Sequence, residues 1–186
     1  VAGEVLMWKI GGAAAALGGD LQSVTATAQR AIDNTRSVGA GLAPCTIPAV
    51  GRPNFQIEAG KMEMGIGHHG EPGIEVVDLA PSREIAERMV GLLLPDLPFR
   101  RGDKVAVLVS GLGATPPSEL FLFFRDVHRL LERAGLDPVR RWVGDYFTSL
   151  DMSGVTLTLL KLDAELTECL DHEADSWGWT QQIPSP

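Results

Sequence analysis

Two histidines stand side by side in a run of glycines: Gly65-Ile66-Gly67-His68-His69-Gly70-Glu71-Pro72-Gly73. An imidazole ordinarily titrates near pH ~6.5, so close to neutrality it offers a lone pair that can attack an electrophilic carbon. The flanking glycines carry no side chain and let a small molecule approach the backbone closely. Together these residues could capture a small substrate by nucleophilic addition. The competing reading is a surface loop whose histidines are merely solvated, and the pattern alone does not separate the two.

Other chemistries fit less well. Gly65 to Gly70 matches GxGxxG, but a dinucleotide site needs a helix directly behind it to hold the pyrophosphate. Here Glu71-Pro72-Gly73 follows, and Pro72 disfavours helix at Glu71. His69-Gly70-Glu71 resembles the HxE half of a zinc deaminase, but the PCxxC half is missing. No metal site is expected. Adjacent residues on extended backbone point to opposite sides, and no third ligand stands at an obvious spacing. A second loop, Ser110-Gly111-Leu112-Gly113-Ala114-Thr115-Pro116-Pro117, follows an apolar run and sits where loops line ligand crevices in open α/β sheets. It lacks the lysine of a P-loop and the GxSxG frame of a nucleophile elbow. It reads either as a substrate-lining loop or as a plain link from strand to helix.

The elements that must position these loops follow from periodicity. Val5–Leu17 reads as a helix stopped by Gly18-Gly19, and Asp20 can cap a second helix running to about Arg36. Short strands are expected at Phe55–Glu58, Lys61–Ile66 and Ile74–Asp78, the second alternating Met62, Met64 and Ile66 on one side. Beyond them come a helix from Ser82 to about Leu94, a buried strand at Lys104–Val109 and a helix over Ser118–Ala134 stopped by Gly135. Strands at Val139–Phe147 and Val155–Lys161 and a last helix at Asp163–Leu170 complete the order. The alternation predicts an α/β domain: a two-layer sandwich with a mixed sheet and helices mainly on one face. Trp177 and Trp179 lie in a tail, residues 177–186, and could dock on this protein or on a partner.

Composition narrows the partners. The 186 residues suit one domain, 45% of them hydrophobic and 22% charged, with a net charge of −8. That balance disfavours nucleic acid and anionic membranes. Two distant cysteines, Cys45 and Cys169, fit a reduced, cytoplasmic protein. No apolar run approaches the ~20 residues of a membrane span. The opening Val1–Leu17 carries Glu4 and Lys9 and is not read as a signal peptide. A chain that begins at Val1, almost directly in a helical pattern, is expected to be a fragment or a processed product.

The segment Glu58-Ala59-Gly60-Lys61-Met62-Glu63-Met64-Gly65-Ile66-Gly67-His68-His69-Gly70-Glu71-Pro72-Gly73 resembles the substrate-binding subunit of dihydroxyacetone kinases. Supporting matches are Trp8-Lys9-Ile10 with its alanine run, Val109–Thr115, Val143-Gly144-Asp145-Tyr146 through Ser149-Leu150-Asp151-Met152, and Leu159–Asp163. The resemblance spans nearly the whole chain, and His-Gly-Glu-Pro-Gly is its specific part. It implies that residues 1–176 are the C-terminal portion of such a subunit. It implies that His69 forms a hemiaminal with the substrate carbonyl, with Gly67 and Gly70 (and Gly65 and Gly73) shaping the binding turn. The substrate would be dihydroxyacetone or a related short ketose. The family usually carries an apolar residue where His68 stands, a change that could favour a longer ketose such as a tetrulose.

The same resemblance implies a phosphotransferase acting on an alcohol group. Its phosphoryl donor, ATP with magnesium or a phosphocarrier-fed subunit, would come from a separate nucleotide-binding domain or subunit, and the protein would be a homodimer. No cofactor is assigned to this chain. The family's GSGHE-like loop, general-base histidine and hydroxyl-holding lysine and aspartate are absent from these residues, so the chain alone is expected not to turn over. A ketone-sensing transcriptional co-activator of the same family is the alternative.

Overall fold

The computed structural model describes residues 1–53 and 55–182. Two helices come first, α1 (Gly3–Ala16) and α2 (Leu21–Asp33). Successive turns of α1 bury Leu6, Ile10 and Ala13, and the Asp20 carboxylate caps α2 by accepting from the Ser23 backbone N–H at 2.8 Å. Next come β1 (Thr35–Gly41), a two-stranded ribbon of β2 (Thr46–Ile47) and β3 (Arg52–Pro53), then β4 (Lys61–Met64) and β5 (Glu75–Asp78). After these follow α3 (Ser82–Asp96), β6 (Lys104–Gly111), α4 (Pro117–Ala134), β7 (Asp137–Gly144), β8 (Gly154–Lys161) and α5 (Ala164–Asp171). A small hairpin, β9 (Ala174–Asp175) with β10 (Thr180–Gln181), closes the described chain.

Six strands form one mixed sheet in the order β5-β4-β1-β8-β6-β7. Only β6 and β7 run parallel within it, joined by α4, and the other neighbours are antiparallel. The α/β class and the mixed sheet are as the sequence leads one to expect. The helices do not stay on one side, however: α1, α2 and α5 share one face, and α3 and α4 cover the other. The sheet is therefore a middle layer, and the two-layer expectation gains a third. The cause lies chiefly in β6, whose run Val105–Val109 is apolar on both sides and has no polar face to give to water. Val105, Val107 and Val109 point toward α3 and α4, while Ala106 and Leu108 point toward α1 and α5. Each fully buried aliphatic side chain of this size contributes about 1.5–3 kcal/mol, so covering both faces outweighs leaving either wet.

Two expected elements shift. The second helix stops at Asp33, and Thr35–Gly41 is strand rather than the last helical turn and its breaker. Gly39, Ala40 and Gly41 have weak strand preference, yet β1 is paired along its whole length with β8. Phe55–Glu58 lies outside any strand, and Phe55 instead packs on a small core of Cys45, Ile66, Leu112 and Met152. Trp179 of the tail is buried against Trp142 and Tyr146, whereas Trp177 is fully exposed. Residues 183–186 of that tail lie outside the described residues. Cys45 and Cys169 are both buried thiols. Among the described residues, no helix is long and apolar enough to cross a membrane.

Candidate functional site

The glycine-rich segment leaves the sheet at the end of β4. Gly65 continues the ladder by donating its N–H to the Gly39 carbonyl at 2.6 Å, at a φ of 81° that a side chain rarely adopts. Ile66 then drops into the small core and is 1% exposed. Its carbonyl passes so close over β1 that a Cβ on Gly39 would lie 2.4 Å from it. The glycines of β1 thus let the turn cross the sheet in contact with the backbone.

Gly67, His68, His69 and Gly70 form a β-turn closed by the Gly70 N–H donating to the Gly67 carbonyl at 3.1 Å. A second bond, from the Gly67 N–H to the Glu71 carbonyl at 3.1 Å, locks its base. Because this backbone is turned rather than extended, the two imidazoles do not point to opposite sides. They lie side by side, with ring centroids 3.7 Å apart. The turn thus overrides the opposed orientation that extended backbone would give to His68 and His69. No helix follows Gly70, which removes the dinucleotide reading on geometry as well.

Glu71 folds back over the turn. One carboxylate oxygen, Oε2, accepts the His69 backbone N–H at 3.0 Å, and Oε1 lies 2.7 Å from His69 Nδ1. The space for this is Gly67: a Cβ there would fall 2.0 Å from Glu71 Oε2. The carboxyl is pulled down to about 2, first by its own backbone N–H and then by the His69 imidazole. It is an anion at every ordinary pH. With the Nδ1 proton donated to that anion, the His69 tautomer carries its lone pair on Nε2. The His69 side chain is 72% exposed, so the ring stands on the surface and not in the packed interior.

His68 is held from the other side. Its ring meets Phe147 edge-on at a centroid distance of 4.4 Å, and Phe147 meets Trp8 of α1 at 5.8 Å. Burial, and then the neighbouring His69, lower the His68 pKa below its usual value. Phe147 is itself fixed by Ser110, whose buried hydroxyl accepts the backbone N–H groups of Tyr146 at 3.1 Å and Phe147 at 3.0 Å. The end of β6 therefore acts through the segment after β7, by bonding its backbone. A cavity of about 930 Å³ opens on the far side of Trp8, lined by Lys9, Tyr146, Trp179 and the terminal hairpin, and His69 does not border it.

The structure thus brings His69, Gly67 and Gly70 into one turn, as the sequence suggests. Sequence reasoning missed Glu71, Phe147 and Ser110. For Glu71 a signal was present: an acid two residues beyond a histidine, inside a glycine turn, is within reach of its ring. Nothing in the sequence joins Ser110 or Phe147 to His68.

The Dak1 domain family matches residues 1–178. A dihydroxyacetone-binding subunit, DhaK, of a PTS-dependent dihydroxyacetone kinase from Listeria innocua is 42% identical over 180 residues, covering 96% of this chain and 55% of that protein. An L-erythrulose kinase from Pectobacterium atrosepticum is 38% identical, covering all of this chain and 32% of that protein. Among solved structures, a dihydroxyacetone kinase operon co-activator, Dha-DhaQ, superposes with a TM-score of 0.91 at 34% identity, over 97% of this chain and 56% of that one. The chain spans about half the length of the first relative and about a third of the second.

Proposed function

Since the chain belongs to the Dak1 domain family of dihydroxyacetone-binding subunits, we propose that it is the ketone-capturing part of a short-ketose kinase and that His69 is its covalent anchor. One observation carries this reading: the 2.7 Å contact from His69 Nδ1 to an ionised Glu71, on an exposed glycine turn. It orients the imidazole and leaves the nucleophilic pair on Nε2, much as a buried carboxylate orients the histidine of a catalytic triad.

The chemistry balances simply. His69 Nε2 bonds to the ketone carbon, the carbonyl π pair moves to oxygen, and that oxygen takes a proton from solvent. The ring gains a positive charge, which the Glu71 carboxylate at Nδ1 offsets until the Nδ1 proton leaves to solvent. Reversal releases the ketone unchanged. A polyol such as glycerol has similar hydroxyls but no electrophilic carbon, so it is rejected by bond formation and not by fit. Tethering then holds the substrate for phosphoryl transfer, where positioning supplies much of the rate.

The similarity to both a dihydroxyacetone-binding subunit and an erythrulose kinase supports a ketose of three or four carbons. In this reading the donor is ATP with magnesium, or a phosphocarrier-fed subunit, on a separate nucleotide-binding domain or subunit. The working protein is a cytoplasmic homodimer, and residues 1–176 of this chain alone bind without turnover.

The experiment is a 13C spectrum of the protein with dihydroxyacetone labelled at its carbonyl carbon. Capture moves that signal from the ketone region to that of a saturated carbon, and His69→Ala abolishes the shift. An identical spectrum from both proteins would end the proposal. The co-activator's close superposition favours a second reading, a ketone sensor that uses the same capture without phosphoryl transfer. Assaying ketose phosphorylation by the full-length protein with its donor separates the two.

A further inference from the structure

We propose that His68, His69 and Glu71 form a binding site for a divalent transition metal of the zinc class, and that the metal competes with ketone capture. The competition rests on the capture reading above, whereas the metal site does not. One ring nitrogen from each histidine and one carboxylate oxygen of Glu71 lie within 4.8 Å of one another. Bonds of about 2.0–2.2 Å to a shared ion need these donors within roughly 4 Å. Small rotations of side chains on an exposed turn close that gap.

The donor set selects the ion. Two imidazoles and one carboxylate suit zinc, cobalt, nickel or copper, and do not suit magnesium or calcium, which take oxygen ligands. Three protein donors with an open solvent side is the pattern of a zinc site that keeps a free coordination position. His69 and Glu71 are 72% and 56% exposed, so water or a substrate hydroxyl has access to that position.

The surroundings already orient the donors as outer partners do in metal sites. Glu71 Oε2 is held by the His69 backbone N–H at 3.0 Å, which leaves Oε1 directed at the rings. Phe147 fixes the plane of His68 from behind. Coordination through His69 Nδ1 needs that nitrogen's lone pair, so the ring would carry its proton on Nε2 instead and the cation would take the place now held by the Nδ1 proton facing Glu71 Oε1. His68 is the residue that makes the trio, since an apolar side chain in its place would leave only two donors.

With the metal on Nδ1 and the proton on Nε2, the His69 ring has no lone pair left for a ketone, and Glu71 is taken from its orienting role. Capture and metal binding therefore exclude each other.

The test uses the 186-residue chain. Equilibrium dialysis with zinc chloride is expected to give one ion per chain, and cobalt(II) is expected to give the intense visible bands of a low-coordinate site. His68→Ala and Glu71→Gln should each weaken zinc binding on the order of tenfold or more, with melting curves confirming that both variants fold. Zinc should also remove the saturated-carbon signal of labelled dihydroxyacetone, and a chelator should restore it. Equal zinc affinity in wild type and His68→Ala would overturn the site. Zinc binding that depends on His68 in a protein showing no ketone adduct would uphold the metal site and sink the capture reading alone.

Discussion

The Glu71 carboxylate reaches back two residues to lie 2.7 Å from His69 Nδ1 while its other oxygen takes the His69 backbone N–H. One side chain thereby fixes both the position and the tautomer of the imidazole.

Glu71→Gln keeps the length of the side chain and removes the charge. A hydrogen bond to a charged group is worth about 1.5–3 kcal/mol when protected, and exposure reduces this. With Glu71 more than half exposed, a loss of about 1 kcal/mol is expected, which is roughly a fivefold weaker ketone adduct. Titration of the adduct signal with labelled dihydroxyacetone measures it. Unchanged affinity would mean that Glu71 holds the turn without serving the ring.

Gly67→Ala tests the same contact sterically. The added Cβ would sit 2.0 Å from Glu71 Oε2, so the carboxylate must swing away. The Nδ1 proton resonance of His69 should move to that of a water-bonded imidazole, and adduct formation should fall by at least as much as in Glu71→Gln. Global stability should change little, because the turn lies outside the main core.

Ser110→Ala removes the acceptor for two backbone N–H groups and leaves the ring contacts to be lost secondarily. An unmet buried donor costs about 1–3 kcal/mol, so urea denaturation should show a loss of about 2 kcal/mol. Hydrogen exchange should accelerate at Tyr146 and Phe147 ahead of the rest of the sheet. A uniform change across the sheet would place the role of Ser110 elsewhere.

The pH dependence carries the sign of His68. Burial depresses its folded pKa below 6.5, so between the two values the unfolded chain binds more protons. Its contribution to stability is complete above 6.5 and is lost as the pH falls through 6.5 toward the folded value. His68→Phe, which keeps a ring against Phe147 and cannot be protonated, should flatten that part of the curve. Thermal midpoints from about pH 5 to 8 reveal the difference, and parallel curves for the two proteins would refute it.

Read alone, the sequence determined the chemistry on offer and most of the elements. Glycines around two histidines specify a turn with nucleophilic nitrogen, and a 3.6- or 2-residue rhythm specifies helices and strands, because both are local properties of the chain. It could not determine β1. Thr35–Gly41 lacks a strand pattern and becomes strand only because β8 pairs along its whole length and β4 at its far end. Nor could it determine which helices cover which face, since runs such as Val105–Val109 are apolar on both sides and name no partner. The same holds at the site. The bend that sets His68 against His69 closes through the Gly67–Gly70 bond, and the crossing over Gly39 exists only once the sheet is formed. Phe147 meets His68 from the segment after β7, where Ser110 of β6 holds its backbone, and contacts between distant segments become readable only when folding brings them together.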